Sequence, residues 1–327
     1  MLLDGRDPQA IAQAARALAA GELVALPTET VYGLGARADR DAAVAKIFAA
    51  KGRPADHPLI VHVLDAADAA RFASELPEIA QRLMAAFWPG PMTVIVPRAP
   101  AMAAAAAGGQ SSIGLRCPAH PVARALLAAA RAEGVLGVAA PSANRFGRVS
   151  PTQARHVADE FEAGLIVLDG GECEVGIEST IVDCSRGRPV LLRPGVLTPA
   201  QIEAVLGEPL LAPDATAPRA SGTLAAHYAP RAVVRLFDAG GALNAPKQTG
   251  PTLAVYSRTA EAGPADAALR RRMPAEARAA AHELFAVLRE LDEAGAAEIW
   301  IERPPPGSEW DGVRDRLSRA AAAFELE

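Results

Sequence analysis

Short apolar runs and amphipathic segments alternate along the first part of the chain, a pattern that predicts strands and helices in turn. Several of the amphipathic segments begin at or just before Pro, which favours helix N-termini. The apolar runs predict strands at residues 22–26, 58–63, 92–96, 113–116, 136–140 and 165–168. The amphipathic segments predict helices at residues 8–20, 41–50, 77–87, 121–132 and 151–161.

Two further apolar runs, at residues 179–184 and 189–193, lie close enough together to form a hairpin, and a short helix is predicted at 199–206. Alternating strands and helices favour parallel pairing, whereas the strands of a hairpin pair antiparallel. The pattern therefore predicts an α/β domain with a twisted, mixed sheet.

Residues 207–231 are rich in Pro, Ala, Gly and Thr and lack a hydrophobic period, which indicates a linker. After it, strands are predicted at residues 233–237, 253–256 and 298–302, and helices at residues 275–294 and 309–322. This order predicts a small open-sheet, Rossmann-like α/β domain. The sequence thus indicates a first domain at 1–206, a linker at 207–231 and a second domain at 232–327.

Composition narrows the classes of protein that fit. Half of the 327 residues are hydrophobic, so two domains can bury their cores. The net charge of −5 argues against holding nucleic acid by bulk electrostatics, which usually needs a basic surface. Cys117, Cys173 and Cys184 form no CxxC pair, so we interpret them as reduced thiols of a cytoplasmic protein. With no signal-like N-terminus and no long apolar run, we expect no membrane segment.

Two early segments carry candidate chemistry. Residues 27–35, PTETVYGLG, place two hydroxyls and a carboxylate after a predicted strand, where α/β folds often bind ligands. The same residues would suit a turn capped by threonine side chains. Lys51 and Arg53 fall at a predicted helix end, where they either complement the helix dipole or bind phosphate or carboxylate.

Polar side chains also stand at three later strand ends. Arg116 ends the run SSIGLR, so it needs either a structural ion pair or an anionic ligand. Residues 141–144, PSAN, form a strand–turn junction whose free N–H groups suit an anion. Residues 178–183, ESTIVD, and 191–195, LLRPG, add another hydroxyl pair and another arginine.

Several familiar catalytic motifs do not occur in the sequence, namely GxxxxGK[ST], GxGxxG, HExxH and GxSxG. The His and Asp residues lack metal-ligand spacing, so no protein metal site is expected. These absences argue against a P-loop enzyme, a standard Rossmann dehydrogenase, a zincin and an α/β-hydrolase.

Taken in order, PTETVYGLG, KGRP with HPLIVH, SSIGLR, PSAN with SPT, ESTIVD and LLRPG resemble the signature segments of the YrdC/TsaC family. The resemblance covers residues 10 to 200, and the ordered set is more specific than any single segment. The linker with His227 and Tyr228, and the domain after it, resemble the longer two-domain form. Members make L-threonylcarbamoyl-adenylate from L-threonine, bicarbonate and ATP and release pyrophosphate, the first step of N6-threonylcarbamoyladenosine modification of tRNA.

The resemblance implies a role for each matching residue. Lys51 and Arg53 are expected to be catalytic and to face the triphosphate. The expected threonine site consists of Thr30, His62, Arg116, Ala140 and Ser179. The expected ATP site consists of Arg53, His57, Ser112, Ser142, Asn144, Ser150, Arg193 and Tyr228. At His57 the chain departs from the asparagine of many members, and a neutral imidazole can donate the same hydrogen bond.

The resemblance also implies partners. ATP is expected as a substrate, with Mg²⁺ arriving on its phosphates. The product is expected to pass to the downstream tRNA threonylcarbamoyl transferase machinery, with a weak contact to tRNA. Adenylation of a carbamate needs charge neutralisation and alignment more than a protein nucleophile. Because the carbamate must be shielded from water, we expect the linker to fold toward the site as a lid.

Two other classes stay open. The same basic pocket could dock tRNA or double-stranded RNA in a module without adenylation activity, although no aromatics are interleaved with its basic residues. A carbamoyl-transfer domain of the hydrogenase-maturation type shares the expected fold. The sequence has neither the CxxC pairs nor the acylphosphatase-like start of that larger protein. Threonine-dependent release of pyrophosphate would separate the synthase from the RNA-binding module.

Overall fold

The computed structural model describes residues 1–161, 163–239, 252–259, 267 and 269–324. The chain divides into two compact units. The first consists of residues 1–146 and 150–223, and the second of residues 147–149 and 224–327. A short segment from the first half of the chain therefore belongs to the second unit.

Some helices of the first unit begin or end at recognisable capping residues. The helices among its described residues are α1 (Pro8–Ala19), α2 (Asp41–Lys51), α3 (Ala66–Ala70), α4 (Glu78–Phe87), α5 (Pro121–Ala132), α6 (Ala154–Ala158) and α7 (Pro199–Leu206). Asp7 caps α1 by accepting a hydrogen bond of 2.9 Å from the Gln9 N–H. Gly52 ends α2 with a φ of +64°, which favours glycine. This stop places Lys51 on the last turn of α2 and Arg53 just beyond it.

Ten strands among the described residues form the sheet of the first unit. They are β1 (Leu2–Asp4), β2 (Val24–Leu26), β3 (Gly33–Arg37), β4 (Ile60–His62), β5 (Met92–Pro97), β6 (Ser112–Arg116), β7 (Val138–Ala139), β8 (Ile166–Asp169), β9 (Thr180–Asp183) and β10 (Val190–Arg193). Their order is β1-β8-β2-β3-β7-β4-β6-β5-β9-β10. The pair β4–β6 is parallel, whereas β5–β6 and the β9–β10 hairpin are antiparallel. The predicted mixed α/β sheet is confirmed.

Apolar side chains cover both faces of this sheet. One cluster packs Leu18 of α1 and Leu126 of α5 against Val24. A second cluster contains Ile47 of α2 and Ala25, the neighbour of Val24 on β2. Neighbours on a strand point to opposite faces, so helices lie on both sides of the sheet. Because both faces are apolar, polar side chains gather at the strand ends.

Parts of the first unit differ from the sequence prediction. A helix was predicted at residues 151–161, but α6 spans only Ala154–Ala158. The backbone carbonyls just before α6 do not bond within the helix. The Pro151 carbonyl accepts from the Tyr32 N–H at 2.8 Å, and the Thr152 carbonyl accepts from the Cys173 N–H at 3.0 Å. Strands β1 and β3 were not predicted, since LLD is very short and glycines interrupt GLGAR.

Residues 207–223 contain no helix or strand, yet hydrogen bonds hold them on the first unit. Leu211 makes two backbone hydrogen bonds of 3.0 Å beside β10. The Gln110 amide accepts from the Arg219 N–H at 2.8 Å and donates to the Arg219 carbonyl at 3.1 Å. Arg193 donates to the Ser221 carbonyl at 2.8 Å. This segment therefore lies along the surface of the first unit.

The second unit is a small parallel sheet with helices. Its described elements are β11 (Val233–Phe237), β12 (Leu253–Ser257), β13 (Leu269–Arg272), α8 (Ala277–Glu293), β14 (Glu298–Glu302), a 3-10 turn (Ser308–Trp310) and α9 (Asp311–Ala322). The strand order is β11-β14-β12-β13, and each pair is parallel. The predicted open sheet is confirmed, with β13 added because its sequence, LRRR, shows no apolar run.

Across the described parts of both units, no helix combines the length and apolarity needed to cross a bilayer.

Candidate active site

Three residues assigned to threonine lie together near the ends of β4 and β6. Arg116 ends β6 and is in register with His62, the last residue of β4. Thr30, in the loop between β2 and β3, accepts a hydrogen bond of 2.8 Å from the Arg116 guanidinium. All three side chains are buried. The topology thus brings together residues that are far apart in sequence.

Glu29 holds the Arg116 guanidinium in a buried ion pair. One carboxylate oxygen accepts from Arg116 Nη2 at 2.7 Å, and the other accepts from the Ala119 N–H at 3.0 Å. Burial favours a higher pKa for Glu29, but the Arg116 charge and these hydrogen bonds bring its pKa below the usual value. Of the two possibilities left open for Arg116, the structural ion pair is present. An anionic ligand in addition stays a prediction.

His62 is a buried, neutral imidazole. Burial, followed by the nearby Arg116 charge, lowers the pKa of His62 to about 3. Its Nδ1 atom is enclosed and makes no hydrogen bond within the described structure. Because buried polar atoms in proteins nearly always have a partner, this nitrogen suits a polar ligand.

The β9–β10 hairpin joins Ser179, which is assigned to threonine, to Arg193, which is assigned to ATP. Ser179 precedes β9, and its hydroxyl shares a hydrogen bond of 2.8 Å with Thr93. Arg193 of β10 donates to the Ser179 hydroxyl at 3.1 Å and to its carbonyl at 2.8 Å. Ala140, which follows β7, is buried, and its N–H donates to the Ile60 carbonyl at 3.0 Å.

Lys51 supports the loop at residues 141–144. Its ammonium group donates to the Ser142 carbonyl at 2.5 Å and also to the Asn144 carbonyl. The Asn144 amide in turn donates to the Arg145 carbonyl at 2.7 Å. Burial, followed by the Arg53 charge, brings the pKa of Lys51 well below its usual value. Lys51, Ser142 and Asn144 therefore form one hydrogen-bonded cluster.

Arg53 and His57 both lie beside the aromatic ring of Phe146. The Arg53 guanidinium is 5.9 Å from the centre of the Phe146 ring, and the His57 imidazole is 5.4 Å from it. Arg53 also donates to the Pro58 carbonyl at 2.9 Å. Burial and the Arg53 charge lower the pKa of His57, so its imidazole is neutral at pH 7.

Two further residues assigned to ATP, Ser150 and Ser112, lie in the first unit. Ser150 is fully buried and donates to a carboxyl oxygen of Glu178 at 2.5 Å. Ser112 opens β6 and lines a small pocket together with Thr93 and residues 219–221. The predicted linker thus reaches a pocket that Ser112 lines.

Tyr228, also assigned to ATP, belongs to the second unit. Its side chain is buried against Phe285, with ring centres 5.4 Å apart, and the Arg316 guanidinium lies 5.4 Å from its ring. Its φ is +63°, a left-handed conformation that costs energy for a residue other than glycine. Its expected place over the nucleotide stays a prediction.

Residues that hold the binding side chains were not singled out from the sequence. Glu29 and Glu178 stand inside the segments PTET and ESTIVD, but no role was given to them. The need of Arg116 for a carboxylate could have pointed to Glu29. Thr93 and Gln110 lie outside these segments. Thr93 contacts Ser179 across the sheet, and Gln110 contacts Arg219 of the linker. The residues around them in the sequence do not indicate either contact.

No group of three or more His, Cys, Asp or Glu side chains that could hold a metal ion is found within the described ranges. The carboxyl groups of Glu29 and Glu178 are engaged by Arg116 and Ser150. We therefore derive no metal site made from protein side chains alone.

A mixed α/β sheet with arginines, a neutral histidine and hydroxyls near its strand ends defines a protein that binds small anionic ligands. Comparison with known families narrows this class. The family model described as "Telomere recombination" matches residues 16–195. The model described as "Threonylcarbamoyl-AMP synthase, C-terminal domain" matches residues 197–322.

Individual relatives agree with both models. The threonylcarbamoyl-AMP synthase of Bacillus subtilis is 39% identical over 332 residues, covering 98% of this chain and 94% of the relative. That of Pyrococcus abyssi is 43% identical over 67% of this chain and 65% of the relative. The crystal structure of P. abyssi Sua5 complexed with L-threonine has a TM-score of 0.89 and 35% identity, covering 99% of this chain and 97% of that one. The chain belongs to the threonylcarbamoyl-AMP synthase family, in its two-domain form.

Proposed function

We propose that this chain makes L-threonylcarbamoyl-AMP from L-threonine, bicarbonate or CO₂, and ATP, and that the reaction takes place in the first unit. The observation that carries the proposal is the buried cluster of Thr30, His62 and Arg116. This cluster occurs in a chain that belongs to the threonylcarbamoyl-AMP synthase family. A structure similar along its whole length, P. abyssi Sua5, is described as a complex with L-threonine.

In this proposal Arg116 pairs with the threonine carboxylate, and neutral His62 uses its unpartnered nitrogen for a polar group of the same ligand. Thr30, Ala140 and Ser179 complete the threonine site. The support is chemical, since a guanidinium, a neutral imidazole and hydroxyls can all bond a zwitterionic amino acid.

The nucleotide is assigned to the neighbouring residues. Arg53 supplies the guanidinium for the triphosphate, and Lys51 acts by holding the loop that contains Ser142 and Asn144. The other residues of this site in the first unit are His57, Ser112, Ser150 and Arg193. Mg²⁺ would be held mainly by phosphate oxygens and water, where it would neutralise charge on the triphosphate.

The proposed chemistry needs no protein nucleophile. The threonine nitrogen adds to the carbon of CO₂ and loses a proton, which forms a carbamate. A carbamate oxygen then bonds to the α-phosphorus of ATP. The bond from that phosphorus to the bridging oxygen breaks, and its electrons leave with pyrophosphate. The protein contributes alignment and positive charge, which are the main sources of rate in phosphoryl transfer.

The test is pyrophosphate release from ATP, with and without L-threonine and bicarbonate. We expect release to require both, and Arg53→Ala to lower kcat/KM by about 100-fold, because charge stabilisation in the transition state is lost. Arg71→Ala, an exposed arginine, is the matched control and should retain activity. Pyrophosphate release without threonine would contradict the proposal.

We further propose that residues 219–221 act as part of a lid over the carbamate. Support comes from the Gln110 amide, which holds the Arg219 backbone in both directions, and from the small pocket that residues 219–221 line together with Ser112. A covered pocket excludes water and so slows loss of the carbamate.

Replacing Gln110 tests the lid. Gln110→Ala removes both hydrogen bonds to the Arg219 backbone, each of which contributes about 1 kcal/mol, so we expect roughly a 30-fold fall in product formation. Gln81→Ala, on the exposed side of α4, is the matched control. Unchanged product yield in the Gln110 variant would show that the segment is not a lid.

For partners, we propose that the product passes to the machinery that transfers threonylcarbamoyl to tRNA, because a mixed carbamic–phosphoric anhydride is an activated acyl donor. We propose direct contact with tRNA as weak only. The alternative, an RNA-binding module without adenylation activity, is disfavoured by the family to which the chain belongs.

A further inference from the structure

A buried carboxylate lies next to the residues assigned to threonine without being one of them. Glu29 is only 6% exposed, and it forms the ion pair with Arg116 inside the first unit. A buried ion pair adds little to stability over an apolar pair of the same size, since desolvation offsets the attraction. A role for Glu29 beyond stability therefore has to be considered.

The geometry around Arg116 fixes its guanidinium in three directions. Nη2 donates to Glu29 at 2.7 Å, Nη1 to the Thr30 hydroxyl at 2.8 Å, and Nε to the Gly90 carbonyl at 3.3 Å. Among these partners Glu29 alone carries charge. A planar guanidinium held on three sides keeps one orientation, so any remaining donor faces a fixed direction.

Glu29 is itself held in place by the backbone. Its second carboxylate oxygen accepts from the Ala119 N–H at 3.0 Å, and its own carbonyl accepts from the Val175 N–H at 2.7 Å. Both carboxylate oxygens are therefore engaged by protein donors. Because it also holds Arg116, the carboxylate can act on a bound ligand through that guanidinium.

We propose that Glu29 is a positioning residue for substrate recognition, which aligns the Arg116 guanidinium with the carboxylate of the bound amino acid. This inference rests on the proposed function. It assigns the fidelity of amino-acid binding to a residue that touches no substrate, and it predicts that losing the Glu29 charge harms amino-acid binding far more than nucleotide binding.

The test uses the full chain and measures binding as well as turnover. Threonine and ATP affinities are measured separately by calorimetry for the wild type and for Glu29→Gln. The amide introduced by this substitution can accept only one of the two hydrogen bonds that the carboxylate accepts now. We expect at least a tenfold loss of threonine affinity, a matching rise in the threonine KM, and an ATP affinity within twofold of the wild type.

Asp183→Asn is the matched control for a merely structural role. Asp183 is also fully buried and forms an ion pair of 2.8 Å with Arg186, at the opposite end of β9 from Ser179. We expect this variant to lose thermal stability while keeping the threonine affinity of the wild type. Equal threonine affinity in folded Glu29→Gln and wild type would overturn the inference.

Two further outcomes are distinguishable. If Glu29→Gln does not fold, Glu29→Asp keeps the charge but shortens the reach by one methylene, and an unchanged threonine affinity in that variant equally overturns the inference. If the wild type binds ATP but not threonine, the proposed function fails and the inference fails with it. If the wild type and the Glu29 variant bind threonine equally well, the inference fails and the proposed function stands.

Discussion

At the scale of single residues, His62 links the binding site to acid stability. The folded protein keeps this imidazole neutral, with a pKa of about 3 against an ordinary value of 6.5. Between these two values the unfolded chain binds a proton that the folded chain does not. Stability therefore falls as pH falls below 6.5, and at neutral pH His62 has no such effect.

We predict that His62→Gln reduces this acid sensitivity. Between pH 8 and pH 5 the wild type should lose about 2 kcal/mol on account of His62, a loss that glutamine cannot show because it does not titrate. Urea unfolding of both proteins at the two pH values measures the difference. Carboxyl groups such as Glu29 contribute equally to both proteins and cancel. The same pH dependence in both would contradict a buried neutral His62.

The sequence indicates candidate site residues but not their contacts. Lys51 and Arg53 were assigned to the triphosphate from a motif, yet the Lys51 ammonium group bonds two backbone carbonyls of the loop at 141–144. Such a contact joins residues that are 91 positions apart in the sequence. The local sequence shows where charged and hydroxyl side chains stand along the chain. The direction in which a long side chain points depends instead on the packing around it.

At the scale of elements, a close approach between two strand ends constrains the hairpin β9–β10. Gly195 follows β10, and a Cβ atom at this position would lie 2.6 Å from the Thr180 backbone nitrogen. Backbone atoms cannot rotate away as a flexible side chain can. A side chain at residue 195 would therefore displace Ser179 and Thr180 from their present place.

We predict that Gly195→Ala weakens threonine binding at least tenfold, because Ser179 moves relative to Arg193. Calorimetric titration with threonine measures the effect. Gly21→Ala is the control, since Gly21 also resists substitution through its φ of +84° but has no backbone atom within 4 Å. The control should lose roughly 1 kcal/mol of stability and no affinity. Equal affinities in the two variants would contradict this account of Gly195.

Elements with strong hydrophobic patterns could be predicted from sequence, and irregular ones could not. The helices Pro121–Ala132 and Pro199–Leu206 have the bounds that their Pro residues indicate. The helix predicted at 151–161 is shorter, because backbone groups at its start bond to other parts of the unit. Strand β3 was missed since its two glycines give no apolar alternation.

At the scale of the whole molecule, strand order lies beyond local pattern. Strand β1 pairs with β8, and Leu2 is opposite Val167, although most of a domain separates them in sequence. The pattern of apolar residues along a strand indicates that both of its faces are buried. It does not indicate which other strand pairs with it. The order of strands and helices along the chain predicted the mixed sheet and the open second sheet, and the structure supplied the order of strands within each sheet.

Net charge leads to a prediction about nucleic acid. With a net charge of −5, we expect tRNA to bind with a Kd weaker than about 10 μM near physiological salt, and more weakly as salt rises. Fluorescence anisotropy of labelled tRNA at two salt concentrations measures this. Tight binding that persists at high salt would instead support a dedicated RNA-binding surface.

The enclosed amine of Lys51 also bears on how the protein can be handled. The chain has three lysines, Lys46, Lys51 and Lys247, the last of which lies outside the described residues. Lys46 is 44% exposed at its side chain, whereas Lys51 is buried against carbonyl groups. Amine-reactive dyes and coupling resins should therefore attach at Lys46 and at the exposed N-terminal amine of Met1, and spare Lys51. The protein is thus suited to labelling or immobilisation through its amines with the catalytic chemistry intact.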